Sequence, residues 1–297
     1  MESLGISVNF AHMCSMKSLR SIGILAILVV CLLICAGCTS TSSGTSGAAA
    51  SPTVTSTAAA SAGTSILVYA GAGLKAPLAE LGPMFTKKTG IDVQYTWGGA
   101  GTLVSQMNLT KKGDVFMPGS TVEFGNAKKQ GLVNDSKYVA YHIPVIVVQK
   151  GNPKNITSLS DFTRSGLKVG LGDANATAIG KAAAKMFNAL NITAAVEKNV
   201  VTRTPTVNEL TTAVKTGQVD AAVLTLDQYD PAKMDKIDIP LDLNVVLITP
   251  IGATTFSQNT DAANQFVDFV ASDEGKAVFV KHGFPSYPNS TYANVKP

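Results

Sequence analysis

Three stretches of the chain place small residues where a ligand could meet bare backbone. Gly71-Ala72-Gly73 follows the apolar, β-branched run Ile66 to Ala70, and Leu74, Leu78, Leu81 and Phe85 then recur at helical spacing. Gly98-Gly99-Ala100-Gly101-Thr102 follows the alternating run Ile91 to Trp97 and opens a helix through Met107. Gly172 to Gly180 repeats the device, with Ala178-Ile179 leading into an alanine-rich helix that ends near Leu190. A helix start leaves amide N–H groups without partners and carries a partial positive charge, so it attracts anions. The chemistry expected of this set is capture of an anion by main-chain donors around Ala72-Gly73, Ala100-Gly101-Thr102 and Ala178-Ile179. For any one loop, a tight strand-to-helix turn without a ligand also accounts for the residues. Recurrence is what favours binding.

The elements that must position these loops alternate between strand and helix, which makes the fold class α/β. Asp114 to Met117 reads as a third strand, ending in Pro118-Gly119-Ser120-Thr121 before another helix. Tyr141 to Gln149 is a strongly apolar strand containing Pro144. Proline is poorly tolerated in a central ladder, so this strand is expected to bend or to cross between lobes. Leu159 to Phe162 looks like a helix start, Leu167 to Leu171 and Ala221 to Leu226 like strands, and Asn244 to Ile251 like the return. Thr206-Val207-Asn208-Glu209 is a capping box for a helix that stops at Gly217. Two helices end the domain, Asp261 to Ala271 and Asp273 to His282, the second capped by Ser272 and closed by Gly283. In open parallel sheets, ligands sit at the carboxyl ends of strands, where the small-residue loops lie.

Composition narrows the chemistry further. The 297 residues, 45% hydrophobic and 15% charged, suit a globular protein of two medium units. The net charge is +4, and no basic cluster marks a nucleic-acid surface. All four cysteines, Cys14, Cys31, Cys35 and Cys38, lie in the first 38 residues. The rest of the chain therefore has no thiol for a disulfide, a zinc site or a nucleophile. From Cys38 onward the only arginines are Arg164 and Arg203, and none of the glycine loops contains one. Carboxylate binders typically use a bidentate arginine fork. A dehydrated tetrahedral dianion can instead be held by neutral N–H and O–H donors, with Arg203 near the Thr206 turn as a possible exception.

The N-terminus reads as an address. Lys17 and Arg20 precede an apolar run from Ile22 to Ala36, shorter than a comfortable membrane span. It ends in Ile34-Cys35-Ala36-Gly37-Cys38, which resembles the lipobox of exported lipoproteins, with Cys35 where leucine is usual. That resemblance implies a signal peptide over 1–37, lipid attachment at Cys38 and an extracytoplasmic, membrane-anchored protein. An uncleaved signal anchor is the alternative, and it gives the same side of the membrane. Residues 38–64, nearly all Ser, Thr, Ala and Gly, form the expected flexible tether.

Together the segments VYAGAGLKAPL, GGAGTLVSQ, GDVFMPGS, VGLGDANATAIGK, TVNEL, DAAVL and FVDFVASDEGKAVFVKHGF resemble the extracytoplasmic solute-binding proteins of ABC importers. The likeness is to the molybdate- and tungstate-binding group, and it spans Ser65 to about Phe284. It implies a two-lobed periplasmic-binding-protein-like fold of type II, with the ligand in the interlobe cleft. Lobe 1 would comprise residues 65–145 and 249–297, and lobe 2 residues 146–248. It also implies a monomer that holds molybdate or tungstate, without a cofactor, a free metal cation or catalysis, and delivers it to ABC permease subunits in the membrane. Sulfate or phosphate is the alternative ligand. Ligand contacts are expected from Ala72, Gly73, Ala100, Gly101, Thr102, Ser120, Ala178, Ile179, Val207 and Thr225. The sequence departs from the family pattern where many members place serine, here Gly73 and Ala100, and where tyrosine is usual, here Leu224. Hydroxyl donors would then come from Thr102, Ser120, Thr225 or Tyr229.

Two rival classes stay open at this point, an extracytoplasmic metal-dependent enzyme and a surface adhesin. An enzyme needs a nucleophile with a base, paired carboxylates or metal ligands. His142 and His282 read as structural, and Asp114, Asp173 and Asp227 as braces of turns or as metal ligands.

Overall fold

The structure, a computed structural model, describes residues 63–297. The signal peptide, Cys38 and all but the end of the tether lie outside the described residues. Ile66, Val68 and Ala70 are fully buried in β1 (Ser65–Gly71), which runs through a 3₁₀ turn at Ala72–Leu74 into α1 (Lys75–Thr89). Then come β2 (Asp92–Gly98), α2 (Ala100–Thr110), β3 (Val115–Met117), α3 (Thr121–Lys129) and β4 (Lys137–His142). The second part holds β5 (Pro144–Gln149), β6 (Val169–Gly172), α4 (Ala178–Ala189), α5 (Thr193–Glu197) and β7 (Val200–Thr204). It continues through α6 (Val207–Lys215), β8 (Ala221–Thr225) and β9 (Met234–Asp238). The chain closes with β10 (Leu247–Ala253), α7 (Thr260–Ala271) and α8 (Asp273–Lys281).

These strands form two five-stranded sheets, ordered β2-β1-β3-β10-β4 and β7-β6-β8-β5-β9. Each sheet has a parallel centre, β1 between β2 and β3 and β6 between β7 and β8, so these strands are buried on both faces and read as continuous apolar runs. The apolar run at Tyr141 splits in two. His142 ends the first sheet, Ile143 crosses, and Pro144 opens β5, where its missing N–H costs no central ladder bond. The crossing therefore falls before residue 144. The return is made by β10, whose Leu247 and Ile248 already pair with His142 and Tyr141 of β4. Sequence reading missed β9 and α5, and the segment at Leu159 is a 3₁₀ turn (Leu159–Thr163) rather than a helix.

Each lobe has its own core. In the first, α1, α7 and α8 cover one face of the sheet, with the Phe85 and Phe266 rings edge to face at 5.1 Å. Leu103 and Met107 of α2 cover the other face with Phe116 and Phe124. The second core joins β5, β6 and β8 to α4 and α6 through residues such as Ile146, Met186, Leu210 and Val223. Helical spacing puts Leu210, Ala213 and Val214 on one stripe of α6, and all three are buried. Rigid sheets on both sides fix where the loops point.

Candidate functional site

Loops at the carboxyl ends of strands from both sheets enclose a cavity of about 40 Å³. One water needs roughly 10–15 Å³ on this measure, so the space suits a ligand of a few heavy atoms. The first lobe supplies Gly71-Ala72-Gly73 after β1, Gly98-Gly99-Ala100 after β2 and Gly119 after β3. The second supplies Thr177-Ala178-Ile179 before α4, Thr206-Val207 before α6 and Thr225 at the end of β8. His142, at the crossing, completes the wall.

The helix starts here are built to leave amides unspent. Thr177 Oγ1 accepts from the Gly180 N–H at 3.1 Å, and Thr206 Oγ1 from the Glu209 N–H at 3.3 Å. Each threonine thereby satisfies the third amide of its helix, while the first two have no carbonyl one turn back. Those amides belong to Ala178 and Ile179 in α4, and to Val207 and Asn208 in α6. Gly99 caps α2 with no side chain at all. Three helix starts thus bring N–H groups and helix-dipole charge to one small space, whose lining includes no Asp, Glu, Lys or Arg. Such a space favours an anion of fixed small size.

Polar contacts tie the lobes across the cleft. The Gly101 N–H donates to the Ala176 carbonyl at 3.3 Å, Asn208 Nδ2 to the Ala72 carbonyl at 3.0 Å, and Gln228 Nε2 to the Gly73 carbonyl at 3.4 Å. At the rim, Lys181 of α4 pairs with the buried Glu123 of α3 at 2.8 Å.

Of the residues singled out from sequence, Ala72, Gly73, Ala100, Ala178, Ile179, Val207 and Thr225 line the cavity. Gly101, Thr102 and Ser120 do not. The Gly101 amide is spent on Ala176, Thr102 is exposed on the first turn of α2, and Ser120 caps α3 and donates its hydroxyl to Glu123. Tyr229 packs half-buried against the second core, where Leu224 is fully buried. The Gly73 departure has a steric counterpart across the cleft. A Cβ there would come within 2.8 Å of Val207 Cγ1, so valine fills the room a serine would need.

The charged candidates separate as clearly. Arg203 pairs with Glu197, and Arg164 donates to the Lys154 carbonyl. Asp114 stands at the amino end of β3, away from the cavity, and accepts from the Leu67 N–H at 2.8 Å and Ser257 Oγ at 2.7 Å. The Asp173 carboxylate accepts from the Asn175 N–H at 2.6 Å. Asp227 alone approaches the site, 3.0 Å from His142 Nε2. Among the described residues no group of three His, Cys, Asp or Glu side chains could hold a metal ion. Glu80 is bonded by Lys281 at 2.8 Å and by His282 at 2.9 Å, which in that order hold its carboxyl below the usual carboxylate range. Of the other lining residues, sequence reading takes His142 for structural and passes over Thr177. A polar residue interrupting an apolar run two positions before a proline was the available signal for His142.

Residues 66–285 match the family of bacterial extracellular solute-binding proteins. A binding protein of Haemophilus influenzae is 31% identical over 74% of this chain and 90% of its own length. The molybdate-binding protein ModA of Mycobacterium bovis is 28% identical over 79% of this chain and 89% of its own. Among solved structures, the sulfate-binding protein SubI of Mycobacterium tuberculosis superposes with a TM-score of 0.66 at 19% identity, covering 78% of this chain and 90% of that one. The two-lobed type II periplasmic-binding-protein fold is therefore shared, and the chain belongs to the bacterial extracellular solute-binding proteins.

Proposed function

We propose that this protein captures a dehydrated tetrahedral oxyanion, molybdate or tungstate, as a monomer outside the cytoplasm and passes it to an ABC importer permease. The observation that carries the reading is the convergence of unspent helix-start amides on a cavity of about 40 Å³ lined by no carboxylate and no arginine. Neutral donors and helix dipoles stabilise a dianion without the cost of desolvating a buried cation first. The molybdate-binding relative agrees with this assignment. Sulfate is the second reading, favoured by the fold shared with a sulfate-binding protein. An extracytoplasmic enzyme has less support, since the cavity holds a single titratable side chain.

Calorimetric titration of residues 63–297 with molybdate, tungstate and sulfate tests the reading, together with mass spectrometry of metals that co-purify. Saturable binding of one anion per chain, tightest for molybdate or tungstate, is the expected result. Binding of none of the three overturns the reading.

The same reading includes a lipid anchor at Cys38. Cys38→Ser is expected to release the protein from membranes or to block its maturation, read by fractionation and precursor size. Full membrane retention of an intact precursor would instead indicate an uncleaved anchor.

A further inference from the structure

Two buried side-chain atoms in the cavity wall lack a hydrogen-bond partner, Thr225 Oγ1 and His142 Nε2. Thr225 is 0% exposed and His142 6%. Buried polar atoms are nearly always paired in folded proteins. Two orphans in one small space mark where a ligand bonds.

The state of the imidazole follows from its neighbours. Nδ1 lies 3.4 Å from the Gly119 carbonyl oxygen, and Nε2 lies 3.0 Å from Asp227 Oδ1. The Asp227 carboxylate only accepts, so Nε2 is a nitrogen that carries a hydrogen. The approach to Asp227 is close but outside hydrogen-bond geometry, which leaves the Nε2–H without a partner. A Cβ on Gly73 would sit 3.7 Å from Cε1 and 3.8 Å from Nε2, which places this edge of the ring against the ligand loop after β1. Phe284 backs the ring with centroids 5.2 Å apart.

We propose that the His142 Nε2–H and the Thr225 hydroxyl are the two side-chain donors to the bound oxyanion. The inference rests on the oxyanion reading above. It gives this chain side-chain donors at positions other than the serines and tyrosine of the family pattern.

The test is titration with molybdate of the wild type, Thr225→Val, Thr225→Ser and His142→Leu at neutral pH. Circular dichroism checks folding. Thr225→Val and His142→Leu are each expected to lose about tenfold or more in affinity, as for a lost bond to a charged group, while Thr225→Ser keeps its hydroxyl and binds nearly as the wild type does. Unchanged affinity in Thr225→Val or in His142→Leu overturns the assignment while leaving the oxyanion reading intact. Should His142→Leu not fold, the imidazole nitrogen resonances of the wild type with and without molybdate decide, and resonances unmoved by the anion overturn the role of His142. A wild type that binds no oxyanion removes both readings.

Discussion

Gly101→Val is expected to abolish tight ligand binding, although Gly101 does not line the cavity. A Cβ at this position would lie 2.4 Å from the Asn175 carbonyl oxygen, and Asn175 belongs to the opposite lobe. That oxygen is backbone and cannot swing aside as a flexible side chain would. Overpacking of this kind costs about 1–3 kcal/mol and sometimes more, equivalent to roughly fivefold to hundredfold or greater losses in affinity. The same residue donates its N–H to Ala176 at 3.3 Å, so the added bulk also breaks an interlobe bond. Separation of the lobes relieves the clash, and the ligand-free protein should therefore melt near the wild-type temperature. The rise in melting temperature on adding molybdate should shrink, because that rise reports affinity. Thr102→Ala is the control. Thr102 is exposed and its change should be nearly neutral. Calorimetry and small-angle scattering with saturating molybdate check both, and a larger loss in Thr102→Ala would mean that the cleft does not close through these loops.

The sequence exposed the small-residue loops but not which face of each loop meets the ligand. Gly99, Ala100 and Gly101 are alike in composition, yet Ala100 lines the cavity while Gly101 abuts Asn175. The difference depends on how two loops more than seventy residues apart in sequence are set against each other, which no local pattern encodes. Strand-helix alternation, by contrast, is local, and it located β1, β2, β3, β6 and β8 within a few residues. Strand β9 escaped because Met234-Asp235-Lys236-Ile237-Asp238 alternates weakly at a sheet edge, where charged residues are expected. His142 escaped for a related reason. Its ring acquires a role only because Asp227, eighty-five residues later, returns to the crossing beside it.

Selectivity should follow from this donor-rich wall. Phosphate at neutral pH still carries a proton and needs an acceptor for it, whereas molybdate, tungstate and sulfate carry none. The cavity lining contains no carboxylate, and the one nearby, on Asp227, stands behind His142 with its side chain 2% exposed. His142 Nε2 faces that carboxylate and so offers the cavity a hydrogen, not a lone pair. Phosphate binding therefore leaves a buried polar group unpaired at a cost of about 1–3 kcal/mol, or one to two orders of magnitude in affinity. Sulfate escapes that penalty and differs from molybdate chiefly in size, so only the fit to the surrounding amides separates the two. The expected order is molybdate and tungstate tightest, sulfate weaker and phosphate weakest. Competition titrations at neutral pH measure it directly. Phosphate binding as tightly as molybdate would require an acceptor in the cleft. Among the carboxylates, Asp114 lies at the far end of its strand and the Asp173 carboxylate is engaged by its own turn, which leaves Asp227 as the one to serve. Asp227→Asn would then weaken phosphate far more than sulfate, and the donor-only account of the site would fail.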